Sequence, residues 1–548
     1  MQAPDPATFL DDLFDTLFRL RPVDASFIGH HAYDTQLPDF SPDGVARQRD
    51  ALRRLDADAR GLDGAGMATP DRLDCEVATG YLASQIALWE SGHAPHRDPA
   101  TILSLAILGV IGLLRREHAP ATERAARAME RVAAYPTFLA AAETAAKTAP
   151  RFWIETARPL IRAGETLLRH GLPAFCADHG LAAPAPDTLD AGLRALTRVE
   201  TALAAPEAGR HGAIGCGPEL LETLLTDTHH FPGGDYIEAL GEAEIAASLA
   251  ALDAAAAPFG KDWQTVVAEA QAEIVPAGRV QQRHVEIFEA HKALVEEIGL
   301  LTWPDYPLEY RPVPRWLSGI MADAMVYPYH APAPLDPDVP VDFLIPEAPD
   351  GTAELTILSN HVLHHAGVGH HVQNWHAYHR AETRFGRLSA VDSAGFIFVH
   401  AGIGLAEGWS GYVPGMVAEY GLYDARQALG PLHDRLRAAC RGLVDVRLHR
   451  GTWSVEEAVR FLVETSGASE PAALAAVRRI SLSPSSGSMY LAGPALVRAL
   501  RHAVAGPDAA PREVGRFHDR LLGYGALPMP IIAREMTGLP VERLLPVG

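Results

Sequence analysis

Basic residues are in short supply. Forty-seven lysines and arginines face 68 aspartates and glutamates in 548 residues, a formal charge of −21. Nucleic acid and anionic membrane surfaces attract proteins through cationic contacts, so neither is expected as a partner, and the charge favours solubility. Cysteine is scarcer: Cys75, Cys176, Cys216 and Cys440 lie far apart, without any CxxC pair. They read as reduced, mostly structural thiols of a cytoplasmic protein. Long apolar runs are lacking as well. The most apolar one, Ile102 to Leu114, contains two glycines and is too short for a bilayer core of about 30 Å, which favours a buried helix. Near the N-terminus, Asp5, Asp11 and Asp12 stand where a signal peptide would carry positive charge and then an apolar core, so export by that route is not expected. No fixed-period repeat is visible.

What is present is ordinary for a globular protein, with 48% hydrophobic and 21% charged residues. The length exceeds a typical single core, and two large lobes are expected. Apolar residues recur at helical spacing, beginning with Leu10, Leu13, Phe14, Leu17 and Phe18. Ala/Leu/Arg/Glu-rich segments follow over 122–147, 155–169, 188–204, 235–256 and 282–299, punctuated by Pro136, Pro159, Gly171 and Pro173. Alanine-rich helices pack closely, so the expected fold class is mainly α, a bundle with few strands. Prolines crowd 303–350 and exclude long helices there; Met325–Tyr327 and Val341–Ile345 are expected as short extended pieces of a small sheet. The chain thus divides into an N-terminal helical lobe (1–302), a Pro-rich connector (303–350) and a C-terminal helical lobe (351–548). In the last, Ser454-Val455-Glu456-Glu457 is a capping-box pattern that starts a helix ending near Gly467. His229 and His230 follow a helical run over 218–227 and are expected at its end, with little functional weight.

One stretch, Leu358 to Arg380, holds seven of the 25 histidines: His361, His364, His365, His370, His371, His376 and His379. Imidazole is the commonest protein ligand for a transition metal and titrates near neutral pH, so the cluster points to metal binding or proton transfer. Two ligands bind one zinc at about 2.0–2.1 Å each, so on a regular helix they lie three or four residues apart. His361 and His365 satisfy that spacing. His364 and His370 would be separated by about 9 Å along an unbroken helix and share an ion only if the helix is distorted between them. Gly367 and Gly369 lie in that interval and permit a bulge or kink. Both pairs remain open on this argument. Glu407, in the apolar, helix-compatible run from Ala406 to Tyr412, offers a carboxylate to complete a two-histidine site. Further on, Ser483 to Ser488 reads as a loop leading to Tyr490, whose phenol suits hydrogen bonding to developing negative charge on a substrate oxygen.

Together these segments resemble the bacterial domain-of-unknown-function 885 family. That family carries His-Glu-Ala-x-Pro-Gly-His-His-Leu-Gln and, later in the chain, Glu-Gly-Trp-x-x-Tyr. Here the first stands as His364-His365-Ala366-Gly367-Val368-Gly369-His370-His371-Val372-Gln373 and the second as Glu407-Gly408-Trp409-Ser410-Gly411-Tyr412. Phe27 to Asp34 with Leu37-Pro38-Asp39, Leu448 to Ser454, Ser488 to Gly493 and Phe517-His518-Asp519 also fit its pattern, so the resemblance covers most of the chain. The family looks like a distant relative of helical zinc peptidases with His-Glu-x-x-His. The resemblance implies a two-lobed, metallopeptidase-like architecture with the Pro-rich extended region beside a central cleft. It also implies His364, His370 and Glu407 as ligands of a divalent metal, zinc before iron, a catalytic part for Tyr490, and small peptides or amino-acid-like amides as substrates. One departure is serious: the motif's glutamate, the general base of zinc peptidases, is His365 here, and its proline is Val368. His365 is the only local replacement for the base. The resulting expectation is a metal-dependent, peptidase-like hydrolase. A non-hydrolytic metalloenzyme, either a lyase or a non-haem iron oxygenase, would use the same ligation, and an inactive binding protein on this scaffold is the third reading.

Overall fold

The structure is a computed structural model, and it describes residues 5–62, 66–205, 213–324, 326–337, 339–389, 392–393, 396–397 and 400–547. Helix accounts for 71% and strand for 4%, the mainly α class expected. The chain forms two compact units: one of Met1–Cys216, Val313–Pro340 and Val391–Phe398, the other of Gly217–Pro312, Val341–Ala390 and Val399–Gly548. These are not the boundaries that composition suggested. The helices between 217 and 302 belong to the second unit because Gly234–Ala256 packs along Leu429–His449, where Arg435 and Arg447 pair with Glu244 and Glu238, each at 2.7 Å. The Pro-rich segment, likewise, is divided between the units.

In the first unit the apolar run forms the helix Pro99–Arg115, buried along nearly its whole length and capped by Asp98, whose carboxylate accepts from the N–H groups of Ala100 and Thr101. It packs on Pro22–Ile28, Ala121–Ala133 and Arg151–Thr166. Among the described residues no single helix is long and apolar enough to cross a membrane. The expected helix over 122–147 is three shorter ones, Ala121–Ala133, Tyr135–Phe138 and Ala140–Ala145. Pro136 explains the first break, since proline favours the first turn of a new helix over the interior of an old one. The four cysteines are free, and Cys75, Cys176 and Cys440 are buried.

In the second unit, Leu308–Pro312 and Val341–Ile345 pair in parallel, with Tyr310 opposite Phe343. Val341–Ile345 is a strand as expected. Of the other expected piece, Met325 lies outside the described residues, and Val326 and Tyr327 are in no strand. The capping box is present: Ser454 Oγ accepts from the Glu457 N–H, Glu457 Oε2 accepts from the Ser454 N–H, and the helix Val455–Ser466 ends on left-handed Gly467.

Candidate metal centre

The backbone around the histidines is shaped by a failed helix. Thr356–Ala366 winds as a π-helix, and the Gly367 N–H closes its last turn on the Val362 carbonyl, five residues back, at 2.6 Å. Gly367 and Gly369, with ψ near −120° at both, then redirect the chain into a new helix, His370–Arg380. Glycine is required at 369: a Cβ there would lie 1.9 Å from the His364 carbonyl oxygen and 2.3 Å from that of Leu363. The break removes the axial separation of a straight helix, so the His364 and His370 rings come within 5.0 Å, centroid to centroid, and nearly perpendicular.

A second helix, Ile403–Glu419, anchors this break. Trp409, fully buried, donates its indole N–H to the Val368 carbonyl at 2.8 Å. The same helix touches Ser486–Val504 backbone to backbone: a Cβ on Gly408 would lie 2.9 Å from the Gly493 carbonyl carbon, and one on Gly493 would lie 2.3 Å from the Gly404 carbonyl oxygen. That close approach brings Tyr490 onto Glu407, to which it hydrogen bonds. Tyr490 lies within a helix that already starts at Ser486, so the loop expected before it is shorter than the sequence suggested. Trp409→Phe keeps a ring but leaves the Val368 carbonyl buried without its donor. The expected cost is about 1–3 kcal/mol, read as a lowered Tm by calorimetry; an unchanged Tm would show that this bond does not hold the break.

Three donors converge. Nε2 of His364 and of His370 stand 3.4 and 3.8 Å from Glu407 Oε2. Donors placed at about 2.0–2.2 Å around one tetrahedral ion lie about 3.4 Å from each other, so this spacing fits a single divalent cation. The Nδ1–H of His370 faces Gln373 Oε1 at 3.4 Å, an arrangement that leaves Nε2 with its lone pair towards Glu407. His365 joins the group, its ligand atom and those of His364 and His370 lying within 4.8 Å of one another. Burial alone would raise the Glu407 carboxyl, but the His364 hydrogen bond, the neighbouring imidazoles and the Tyr490 hydroxyl outweigh it and hold the group at about 2. Burial pushes His370 down to about 4, against the pull of Glu407. Burial, with His364, His370 and His361 nearby, holds His365 well below its ordinary value. At neutral pH the centre therefore combines the ionised Glu407 carboxylate with neutral His365 and His370, protonation states that suit metal ligation.

A model of the bacterial proteins of unknown function called DUF885 matches residues 22–536. The chain belongs to the DUF885 family. Two solved structures share the fold. One is described as a "putative lipoprotein" from Colwellia psychrerythraea, with a TM-score of 0.77 at 17% identity over 97% of each chain. The other is described as a "putative lipoprotein of unknown function" from Shewanella oneidensis, with a TM-score of 0.74 at 17% identity over 97% of this chain and all of that one. No curated protein matches significantly.

The other histidines of the cluster in this DUF885 chain are engaged elsewhere. His361, the partner that an unbroken helix would give His365, turns to His284: the His284 Nδ1–H donates to the Val280 carbonyl at 2.8 Å, so its Nε2 accepts from His361 Nδ1 at 3.1 Å. Phe343 of the short sheet packs on both rings. His371 donates to the Tyr306 carbonyl, His376 to that of Thr302 and His379 to that of Trp375. The motif's Tyr412 donates to His518 Nε2 at 3.0 Å, while the other nitrogen of His518 donates to the Leu300 carbonyl at 2.7 Å. Asp519 accepts from the Thr302 N–H and hydroxyl. Phe517-His518-Asp519 thus braces the second motif rather than facing the centre. His229 is buried against Ser485, with Nε2 to Oγ at 2.9 Å. One residue beside the centre carried no signal in the sequence: Arg441, whose guanidinium carbon lies 5.1 Å from the centroid of the Tyr490 ring.

Proposed function

We propose that this DUF885 protein is a metal-dependent, peptidase-like hydrolase acting on small peptides or amino-acid-like amides, with His364, His370 and Glu407 as the metal ligands. The observation that carries the reading is the convergence of two imidazole nitrogens on one ionised carboxylate oxygen, at 3.4 and 3.8 Å. Zinc fits such a mixed nitrogen and oxygen set, and when bound it supplies Lewis acidity towards the substrate carbonyl and makes water more acidic. His365, neutral at pH 7, accepts the proton of the attacking water. With Glu407 engaged by a metal, the single O–H of Tyr490 would be free to leave it and donate to charge developing on the substrate oxygen. Gln373 keeps His370 in the ligating tautomer. On this reading the fold is metallopeptidase-like, and the paired strands Leu308–Pro312 and Val341–Ile345, the latter packing Phe343 on His361, flank the substrate's path.

The test is elemental analysis of protein purified without added metal, together with turnover on a dipeptide panel. The expected result is about one zinc per chain and hydrolysis that a chelator abolishes. A second reading draws on the motif resemblance, which implies a glutamate where this chain has His365. Two histidines and a carboxylate also hold iron in oxygenases, so iron in the protein and consumption of dioxygen would replace the hydrolase with that reading. Protein that takes up no metal would be a binding protein.

A further inference from the structure

Arg441 is a cation without an ion-pair partner among the described residues, although Asp434 and Glu407 lie near enough to act on it. Among the described residues it forms no ion pair and no side-chain hydrogen bond, and its Nε is buried without a partner. Its neighbours on and around the same helix, Leu429–His449, are treated differently: Arg435 and Arg498 share Glu244, at 2.7 Å each, and Arg447 holds Glu238 at 2.7 Å. Arg441 is half-buried, and a guanidinium partly taken from water loses solvation that an acceptor restores. The acidic groups near Arg441 are already committed. Asp434 pairs with Arg437 at 3.4 Å, and Glu407 is held by His364, His370 and Tyr490.

The place of this unpaired cation is informative. It lies over the face of Tyr490, whose hydroxyl bonds Glu407, so the guanidinium and the converging donors meet the same tyrosine. The cation–π contact with the ring restrains the guanidinium, whose planar fork matches a carboxylate with two parallel hydrogen bonds. The C-terminal carboxylate of a peptide follows its last amide by one residue, about 3.6 Å of chain.

We infer that Arg441 receives a free carboxylate of the substrate, so that the protein takes dipeptides and N-acyl amino acids whose carboxylate lies one residue beyond the amide at the metal centre. The inference rests on the hydrolase reading above for the position of that amide, but the carboxylate site itself is measurable without turnover. Calorimetric titration with N-acetyl-leucine and with N-acetyl-leucinamide compares two ligands that differ only in this charge. The acid should bind at least about 30-fold more tightly, and the ratio should survive chelator treatment, which removes binding of the acid to the metal itself. Arg441→Met should erase the ratio while leaving amide binding unchanged. Arg441→Lys keeps the charge without the fork and should lose most of the ratio; it decides the matter if the Met variant does not fold by circular dichroism. Equal binding of acid and amide, a ratio unaffected by Arg441→Met or abolished by the chelator, or preferential binding of inorganic phosphate would overturn the assignment. The two readings fail separately. An acid preference that depends on Arg441 in a protein that cleaves no dipeptide removes the hydrolase and keeps the carboxylate site. Dipeptides and their C-terminal amides cleaved with equal kcat/KM remove the carboxylate site and keep the hydrolase.

Discussion

His364→Ala should leave the protein with little or no bound metal, whereas His361→Ala should retain a full equivalent. Both substitutions remove an imidazole from the same π-helical segment, so a nonspecific effect of shortening a buried side chain there would appear in both. Only one of the two rings reaches the centre. His364 Nε2 is 3.4 Å from Glu407 Oε2, while His361 is held by His284 at 3.1 Å, away from that carboxylate. Loss of a group that merely orients a ligand costs about 10–100-fold in metal affinity, so loss of one of three ligands should exceed about 100-fold. At micromolar protein and metal this reads as near-zero occupancy after gel filtration. Glu407→Gln should behave like His364→Ala, because it removes the only negative charge among the three donors. Metal retained by His364→Ala and lost by His361→Ala would transfer the site to the pair that an unbroken helix favours.

The choice between those pairs was not legible in the spacing of histidines, yet its cause was on the sequence. Gly367 and Gly369 stood between His364 and His370, and a Cβ at 369 is incompatible with the carbonyl of His364 at 1.9 Å. Trp409 was likewise visible in the second motif, but its partner is a backbone carbonyl, that of Val368, which no sequence pattern announces. The seven histidines looked equivalent because the groups that distinguish them are remote. His371 and His376 are satisfied by carbonyls of Tyr306 and Thr302, about seventy residues earlier in the chain. The same remoteness explains the division of the chain. Gly234–Ala256 follows the helices of the first unit in sequence and resembles them in composition, but Glu238 and Glu244 select Arg447 and Arg435 as partners. Arg441 is the clearest case of a silent residue, since it is one arginine among several on a helix and differs from them only in what the fold does not give it.

Placing at 365 the glutamate that the motif resemblance implies is the most direct test of what this site does, and His365→Glu should raise peptide hydrolysis by about 100-fold or more, within the usual range for a general base. His365 is a poor base at this site. A base works best with a pKa near the working pH, but burial and the imidazoles of His364, His370 and His361 hold His365 well below its ordinary value. It is neutral at pH 7 and accepts a proton only weakly. The sign of the pH dependence follows: the wild-type rate should be level through neutral pH and decline only in acid, as His365 becomes protonated and can no longer accept. A carboxylate at this position sits among the same ligand atoms, within 4.8 Å, but does not add a cation to a buried cluster of imidazoles when it takes up the proton. It also adds a negative charge near Glu407, so metal content has to be measured alongside the rate. A gain on the dipeptide panel, with metal unchanged, would show that the scaffold retains hydrolytic competence and that the histidine restrains it. A variant that binds metal fully and cleaves nothing on that panel would count against the peptidase reading and leave the same two histidines and carboxylate to a non-hydrolytic reaction.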